Sequence, residues 1–250
     1  YFNRDWRGSV NNLAIIRHHL AKVQRMTAYT VRPIAYVRSP YTQKFGIPRQ
    51  PQLVPAARAD IVFEADFPAD CVRGLEQFGC VWVQFVFHDA LNEGWQPTVR
   101  PPRLGGKAKM GVFATRSPHR PNHLGLSLLV LDSIGNENGR IVLHCSGADL
   151  LDGTPVLDVK PYIPFVEARA DAAAGFAPAP PPRLAVCWLD TPPPEPVRAL
   201  IEQSLSQDPR PAYHHDPQRR YRAVMAQWET TFRIAEHTVI IESCQALQSN

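Results

Sequence analysis

The sequence predicts a mainly β protein, built as a small antiparallel β-barrel followed by a small α+β module. Three observations indicate this class. Proline makes up 25 of 250 residues, against a usual share of about 5%, and proline interrupts helices. Short apolar runs bounded by turn residues outnumber helical patterns. These runs do not alternate with helices, as they would in a doubly wound parallel sheet.

The predicted strands of the barrel follow one another closely along the chain. They are VRPIAYVR (31–38), IVFE (61–64), CVWVQFVF (80–87), MGVFAT (110–115) and PVLDVKPYI (155–163). Within LSLLVLDSIGNENGRIVLHCSG, two apolar runs flank Asn138-Gly139, which strongly predicts a β-hairpin. One short helix is predicted through CVRGLEQF, with Asp70 as its N-cap residue.

The chain divides into four predicted segments. Residues 171–183 are rich in alanine and proline and predict a linker between a barrel domain, 26–170, and a C-terminal module, 184–250. The predicted module contains the strand LAVCWL, the helix PVRALIEQSL (196–205) and two late strands, YRAVMAQWETTFRI and TVIIES. Residues 1–25 lack the apolar core of a secretory signal. We expect them to be a non-native or mis-assigned N-terminal extension, with a transit peptide as the alternative.

Composition excludes several classes of protein. No apolar run approaches the ~18 residues that predict a membrane span. The five cysteines are odd in number, widely spaced and without a Cys-x-x-Cys pair, so neither a disulfide framework nor a thiolate zinc site is predicted, and a reducing cytoplasm fits best. The net charge of +4 is accounted for by residues 1–25, which hold five basic side chains and one acidic side chain. Global charge therefore favours no partner.

Local charge is different in the segment GVFATRSPHRPNHLGLS (111–127) and the residues before it. Between Glu93 and Asp132 the chain has no acidic residue, while it has six cationic ones: Arg100, Arg103, Lys107, Lys109, Arg116 and Arg120. Such focused charge favours binding of phosphate or carboxylate groups. A solvated basic face, balanced by acids elsewhere in the fold, is the alternative.

The common catalytic motifs are absent, and the remaining candidates are weak when taken singly. His119 and His123 have the spacing of helical metal ligands, but Pro121 between them forbids a helix, so no metal is predicted. His88-Asp89 follows the most apolar strand. Two further signals are a tight turn, Asp152-Gly153-Thr154-Pro155, and the pair Arg49-Gln50 between two prolines.

Taken together, several segments resemble a known family, the TrmO-like (TsaA-like) tRNA (adenine(37)-N6)-methyltransferases. They match it in order and spacing, and they are RSPYTQKFGIPRQP, FVFH, RPPRLGG with MGVFATRS, RPNHLGLS, DLLDGTPVLDVKPYIP and QDPRPAY. The resemblance runs from about Ile34 to about Tyr213 and does not include residues 1–25. One departure is His123, which stands where the family usually has a second proline after Arg-Pro-Asn. We expect a less rigid loop there.

The resemblance implies a methyltransferase that uses S-adenosylmethionine on a β-barrel instead of a Rossmann sheet and works as a homodimer. The implied substrate is threonylcarbamoyladenosine, just 3′ of the anticodon in a threonine tRNA, methylated on its exocyclic nitrogen. The implied cofactor contacts are Pro48, Arg49, Gln50, His88, Asp89, Arg116, Leu126, Asp152, Gly153, Thr154 and Pro155.

The chemistry of such a reaction predicts further residues. A ureido-type nitrogen has a delocalised lone pair and must lose a proton, so a base close to it would help. The candidates are Asp152 and Tyr162, with Asp89 behind them. The substrate carboxylate and the tRNA phosphates require cations or stacking surfaces. The predicted RNA contacts are Arg103, Lys107, Lys109, Arg120, Lys160, Arg210 and Tyr213.

Two other functions stay open on the sequence. A non-catalytic tRNA-binding protein of the same fold would bind tRNA without the cofactor, and a small-molecule methyltransferase of the same fold would be indifferent to tRNA. The matching cofactor segments argue against the first, and the basic segment with the C-terminal module argues against the second.

Overall fold

Twelve strands carry the fold in the computed structural model, which describes residues 28–211 and 213–248. The predicted extension, 1–25, lies outside the described residues. The strands are β1 (Ala35–Arg38), β2 (Arg58–Phe63), β3 (Cys80–Val86), β4 (Thr98–Val99), β5 (Met110–Gly111), β6 (Leu124–Glu137), β7 (Arg140–Ser146), β8 (Pro155–Pro161), β9 (Ala185–Trp188), β10 (Arg220–Met225), β11 (Trp228–Ala235) and β12 (Thr238–Ala246). The α-helices are α1 (Pro164–Glu167) and α2 (Val197–Leu205).

Six of these strands form a closed antiparallel barrel in the order β1-β2-β7-β6-β3-β8. Strand β8 returns to β1 through the pairs Ala35↔Val156 and Tyr36↔Pro155, so the sheet has no free end. Closure removes the edge strands that would otherwise invite aggregation. The predicted fold class is confirmed.

The barrel core follows from the alternation of side chains along each strand. In β3, Val81, Val83 and Phe85 are buried, while the residues between them face outward. The Phe85 ring lies against β6 at Gly125, where a Cβ atom would be 2.2 Å from the ring. Only glycine leaves room for this ring, so the pair fills the barrel at the end where β3 stops and β6 starts.

The second sheet has the order β10-β11-β12-β9, in which β9 runs parallel to β12. Helix α2 covers this sheet, and three residues from the connection between β1 and β2 complete the core: Tyr41, Val54 and Ala57. We call residues 39–57 the crossing segment. Because Tyr41 is fully buried and shares a 2.9 Å hydrogen bond with Ser204 of α2, this segment joins the barrel to the C-terminal sheet within the unit 33–250.

Two predicted elements of the barrel region were wrong. MGVFAT is not a strand of the barrel: only Met110–Gly111 pairs, with Thr98–Val99, and a 3-10 turn over Val112–Ala114 follows. The predicted helix through CVRGLEQF is two 3-10 turns, Ala69–Val72 and Leu75–Gln77, and Pro68 is the N-cap residue. Gly74 between the turns has φ 87°, a conformation that ends a helix.

The hairpins show how turn chemistry decides what a sequence reveals. Asn138 and Gly139 have φ of 52° and 83°, the pattern of a two-residue hairpin turn, and the predicted β6–β7 hairpin is confirmed. YRAVMAQWETTFRI was predicted as one strand but forms the hairpin β10–β11, which turns at Ala226 and Gln227 with φ of 49° and 66°. Neither residue favours positive φ, so no local signal indicated this turn.

No helix among the described residues is long and apolar enough to cross a membrane.

Tyr41→Phe tests the junction between the two sheets. The change removes one partner of the buried bond to Ser204, and we expect the free energy of unfolding to fall by about 1–2 kcal/mol in urea denaturation. Ser204→Ala should cost a similar amount, and the double variant less than the sum of the two. Tyr36→Phe, at an exposed residue, is the matched control. Additive costs would contradict the coupling.

Candidate active site

One end of the barrel gathers most of the predicted cofactor residues. Antiparallel pairing puts the last residues of β3 beside the first residues of β6 and β8, through the pairs Val86↔Leu124 and Phe85↔Val156. His88 and Asp89 follow β3, and the turn 152–155 leads into β8, so loops that are distant in sequence meet here. The strand register therefore accounts for the grouping.

The crossing segment lies over this end and bonds to each of its loops. The Ser39 amide donates to Asp152 Oδ1 at 2.8 Å. Lys44 Nζ donates to the carbonyl oxygen of Asp89 at 3.2 Å. Arg116 Nη1 donates to Gln50 Oε1 at 2.6 Å, so two residues 66 positions apart form one polar pair. Pro48, another predicted contact, is buried within the segment.

The turn before β8 is held by its backbone. Gly153 has φ 72°, which favours glycine, and its amide donates to the carbonyl of Val37 at 2.8 Å. The Thr154 hydroxyl donates to the carbonyl of Leu151 at 2.7 Å and is buried. Since one oxygen of Asp152 accepts the Ser39 amide, the carboxylate of Asp152 contributes to fixing the turn.

Leu126 exposes main-chain groups at the edge of β6. Strand β7 pairs with β6 only from Val130 onward, whereas β3 pairs along the whole start of β6. The carbonyl of Leu128 accepts a bond from the Gln52 side chain at 3.1 Å and therefore points away from β3. Peptide groups two residues apart in a strand point the same way, so the N–H and C=O of Leu126 face the gap beside the crossing segment. This edge can bind a planar group that carries one acceptor and one donor.

The loop that precedes β6 is braced by His123. Its ring is buried, and Nδ1 donates to the carbonyl of Pro118 at 2.8 Å. The carbonyl of His123 in turn accepts the Phe87 amide at 2.8 Å, next to His88. At the position where the family usually has a proline, the histidine thus adds a hydrogen bond within the loop.

Asp149 was missed by the sequence-based reasoning. It lies between β7 and β8 and accepts a 2.7 Å hydrogen bond from the buried hydroxyl of Ser127. Burial raises the pKa of this carboxyl to about 6, although the Ser127 bond and the charge of Arg116 act in the opposite direction. Asp149 opens the segment DLLDGTP, in which turn chemistry drew attention to Asp152 instead. Its environment is created by tertiary contacts and leaves no local signal.

Two predicted residues lie at the other end of the barrel. The Tyr162 amide donates to the carbonyl of Cys80, at the start of β3, and its ring meets Trp82 edge-on at 6.1 Å. Lys160 pairs with Trp82 in the β3–β8 ladder and forms an ion pair with Asp158. The length of β3, at ~3.3 Å per residue, separates them from His88 by roughly 20 Å. Within one chain, Tyr162 therefore lies apart from Asp152 and Asp89, the other two predicted candidates for the base.

The other candidate base, Asp89, is exposed at the mouth of the site. Its carboxylate lies 3.6 Å from His88 Nε2 and 3.9 Å from Lys44 Nζ. Lys44 also pairs with Glu93 at 3.1 Å and lowers the pKa of that carboxyl. The side chain of Asp89 is therefore one member of an exposed charge network.

The predicted RNA contacts divide into free and engaged side chains. Lys107 and Lys109 are exposed on the loop between β4 and β5. On the same loop, Arg103 donates to the carbonyl of Ala179. Arg120 Nη1 donates to the carbonyl of Thr115 at 3.1 Å.

In the C-terminal module, Arg210 is held by Asp208 through two bonds of 2.8 Å, and its side chain is 16% exposed. Arg49 Nη2 donates to the carbonyl of Arg210 at 3.1 Å, which ties the module to the crossing segment. Tyr213 is 75% exposed. Two further aromatic side chains, Trp95 and Phe113, are 52% and 76% exposed beside the basic loop and were not singled out from the sequence.

No group of His, Cys, Asp and Glu side chains within 28–211 and 213–248 could hold a metal ion.

Comparison with known proteins finds matches to both parts of the chain. The family model of the tRNA-methyltransferase O N-terminal domain matches residues 36–168, and that of the TrmO C-terminal domain matches residues 188–247. A tRNA (adenine(37)-N6)-methyltransferase of Eikenella corrodens is 59% identical over 177 residues, covering 68% of this chain and 99% of the relative. The Escherichia coli enzyme of the same name is 46% identical over 200 residues, covering 75% and 85%.

A solved structure agrees with these sequences. The crystal structure of TrmO from Pseudomonas aeruginosa superposes with a TM-score of 0.73 at 39% identity and covers 88% of this chain and 99% of that one. Both family domains and the fold match over most of the chain, and the chain belongs to the TrmO family of tRNA methyltransferases.

Proposed function

We propose that this protein transfers a methyl group from S-adenosylmethionine to the exocyclic nitrogen of adenosine 37 in tRNA, and that its substrate is threonylcarbamoyladenosine in a threonine tRNA. The observation that carries this is the cluster at one barrel end, where the open edge at Leu126, the Arg116–Gln50 pair and the turn 152–155 meet in a chain of the TrmO family.

The side chains at this end suit the chemical groups of the cofactor. An adenine edge offers one donor and one acceptor, which match the N–H and C=O of Leu126. A carboxylate tail suits the guanidinium of Arg116. A sulfonium cation suits the carboxylates of Asp149 and Asp89. When bound, S-adenosylmethionine supplies an electrophilic methyl group that needs no metal ion.

The chain's own contribution is to hold the reacting groups in one arrangement. The Ser39–Asp152 and Gly153–Val37 bonds fix the turn before β8, and the crossing segment is anchored in the second core through Tyr41. Such positioning can lower a bimolecular barrier by about 7–11 kcal/mol. The same loops contain the remaining predicted cofactor contacts, which are Pro48, Arg49, His88, Thr154 and Pro155.

The loop between β4 and β5 supports tRNA binding. Lys107 and Lys109 are exposed, and no acidic residue stands between Glu93 and Asp132 to neutralise them. Cations grip the phosphate backbone, while exposed aromatic rings such as Phe113 can stack on unpaired bases of an anticodon loop. Arg120 and Arg210 already form hydrogen bonds within the protein, which favours a structural role for these two side chains. The Tyr213 ring is exposed and free to stack on a base.

Three further proposals concern organisation. The predicted boundaries, barrel 26–170, linker 171–183 and module 184–250, are supported by the change of sheet between β8 and β9.

A homodimer is supported by Phe165 and Val166, apolar side chains exposed on α1 beside Lys160 and Tyr162, which a second chain could cover. All five cysteines are free thiols, in keeping with a cytoplasmic enzyme.

The central test is methyl transfer by the full chain. With labelled S-adenosylmethionine, we expect transfer to threonine tRNA that carries the threonylcarbamoyl group and none to the same transcript without it. Scintillation counting of precipitated tRNA measures both. Absence of transfer to modified tRNA would contradict the proposal, and equal transfer to the unmodified transcript would contradict the substrate.

Arg116→Ala tests the cofactor site. Loss of a charge-assisted bond costs about 1.5–3 kcal/mol, so the affinity for S-adenosylmethionine should fall by roughly 10- to 100-fold in calorimetry. Arg140→Ala is the matched control, since Arg140 is exposed at the β6–β7 hairpin, away from the cluster. Equal affinities of Arg116→Ala and Arg140→Ala would remove Arg116 from the site.

Lys107→Ala tests the RNA surface. We expect the affinity for tRNA to fall by a similar factor for different tRNAs. The slope of the logarithm of the binding constant against the logarithm of the salt concentration should be smaller by about one, because one phosphate contact is lost. Filter binding at several salt concentrations measures both. Arg73→Ala, at an exposed residue near the start of β3, is the control. A salt slope identical to that of Arg73→Ala would place Lys107 outside the interface.

A further inference from the structure

Asp149 is held in place from both sides of its backbone. The amide of Ala148 donates to the carbonyl of Ala57 at 3.0 Å, and the hydroxyl of Ser39 donates to the carbonyl of Leu150 at 2.7 Å. Both partners belong to the crossing segment. The carboxylate of Asp149 is therefore fixed relative to the same segment that bonds to Arg116 and Asp152.

The side chain of Asp149 has a defined orientation. Ser127 is 2% exposed, and its hydroxyl donates to Oδ1 at 2.7 Å. The backbone amide of Asp149 also bonds to the carboxylate, and Oδ2 is the oxygen that Ser127 does not occupy. Ser127 follows Leu126, whose main-chain groups face the gap beside the crossing segment. The charged and titratable side chains that act on Asp149 are Arg116 and Tyr41. The phenol of Tyr41 is bonded to Ser204 and its pKa is raised by burial, so it stays protonated.

The other candidate bases are less suited to accept a proton. Asp152 already accepts the Ser39 amide and is exposed. Asp89 is exposed and lies beside Lys44 and His88. Tyr162 lies at the opposite end of the barrel. Asp149 is the partly buried carboxylate of the cluster, and a carboxyl with a pKa of about 6 is ionised at neutral pH yet basic enough to take a proton.

We propose that Asp149 is the catalytic base, which accepts through Oδ2 the proton that leaves the exocyclic nitrogen of the substrate adenosine. This inference rests on the proposed methyl transfer. The nitrogen–carbon bond forms as the sulfur–carbon bond breaks, the electrons of the broken bond stay on sulfur, and the N–H proton passes to the carboxylate.

The charges in this step balance. A sulfonium cation and a carboxylate anion are converted into a neutral thioether and a neutral carboxylic acid, while the nitrogen remains neutral. Burial already disfavours the ionised form of Asp149, so a step that removes its charge is favoured by the same desolvation.

Asp149→Asn in the full chain tests the proposal, because it preserves the shape and an acceptor for Ser127. In single-turnover reactions at saturating cofactor and modified tRNA, the wild-type rate should rise with pH through one inflection, since only ionised Asp149 can accept the proton. The bound cation should place this inflection below the pKa of about 6 that burial gives Asp149 in the free chain. The variant should react about 10²- to 10⁴-fold more slowly, without that inflection, while still binding S-adenosylmethionine. Retention of the wild-type rate would overturn the proposal.

Asp132→Asn is the matched control. Asp132 also accepts a serine hydroxyl, from Ser146 at 3.1 Å, but it lies farther along β6 beside Arg58. Its variant should keep both the rate and the inflection. An equal loss of rate in the Asp132 and Asp149 variants would assign the effect to stability and overturn the proposal.

Ser127→Ala gives a second variant that leaves the base in place. The Ser127 bond lowers the pKa of Asp149, so its loss should move the inflection of the pH–rate profile to higher pH, and the position of the inflection is the readout. A purely structural role for Asp149 would leave the inflection where it is in the wild type, and that result would overturn the proposal.

A binding measurement separates this inference from the proposed function. Titration of S-adenosylmethionine at pH 6, in two buffers of different ionisation enthalpy, reports protons released on binding. The cationic cofactor should displace a fraction of a proton from Asp149 in the wild type and none in Asp149→Asn. Equal release in both would overturn the role of Asp149 even if methyl transfer is observed. Release lost in the variant would support it even if the tRNA substrate is wrong.

Discussion

The buried contact between Tyr41 and helix α2 is the constraint on which the site depends. Tyr41 is fully enclosed in the second core, so residues 39–57 cannot move without opening that core. The same segment bonds to Asp152, Asp89, Arg116 and the edge of β6. The loops that form the polar cluster are thus held through a segment that is anchored in a packed core. Loops without such an anchor are usually more mobile.

The barrel explains why an open strand edge exists in a closed sheet. Strand β6 has 14 residues, twice the length of its neighbour β7, so β7 covers only its second half. The first half projects beyond the barrel wall and keeps one row of peptide groups for other partners. Gln52 takes one of them at Leu128, and its side chain fits against Gly147, where a Cβ would lie 2.6 Å from Oε1. The length difference between two strands therefore creates the binding edge.

The sequence predicted correctly those turns whose conformation is decided by the residues within the turn. Asn138-Gly139 favours positive φ, and the β6–β7 hairpin followed from it, whereas the turn at Ala226 and Gln227 is imposed by pairing of β10 with β11. The loops at the barrel end were predicted because they are motif segments. The sequence did not predict Asp149 as a site residue, nor that Tyr162 lies at the other end of the barrel. Burial and strand register arise only when the barrel closes.

Asp149 and Lys107 differ in how far their charged groups are removed from water, and this difference suits the different functions that we propose for them. Cations on the β4–β5 loop stay hydrated, where they attract phosphate over distance and cost little stability. Asp149 is partly removed from water, which raises the free energy of its ionised form and makes the carboxylate a stronger base. Arg116, close enough to act on Asp149 and bonded to Gln50, limits this penalty without forming a direct ion pair. A full ion pair would lower the pKa of Asp149 further, so a guanidinium held by Gln50 suits the role that we propose for this carboxylate.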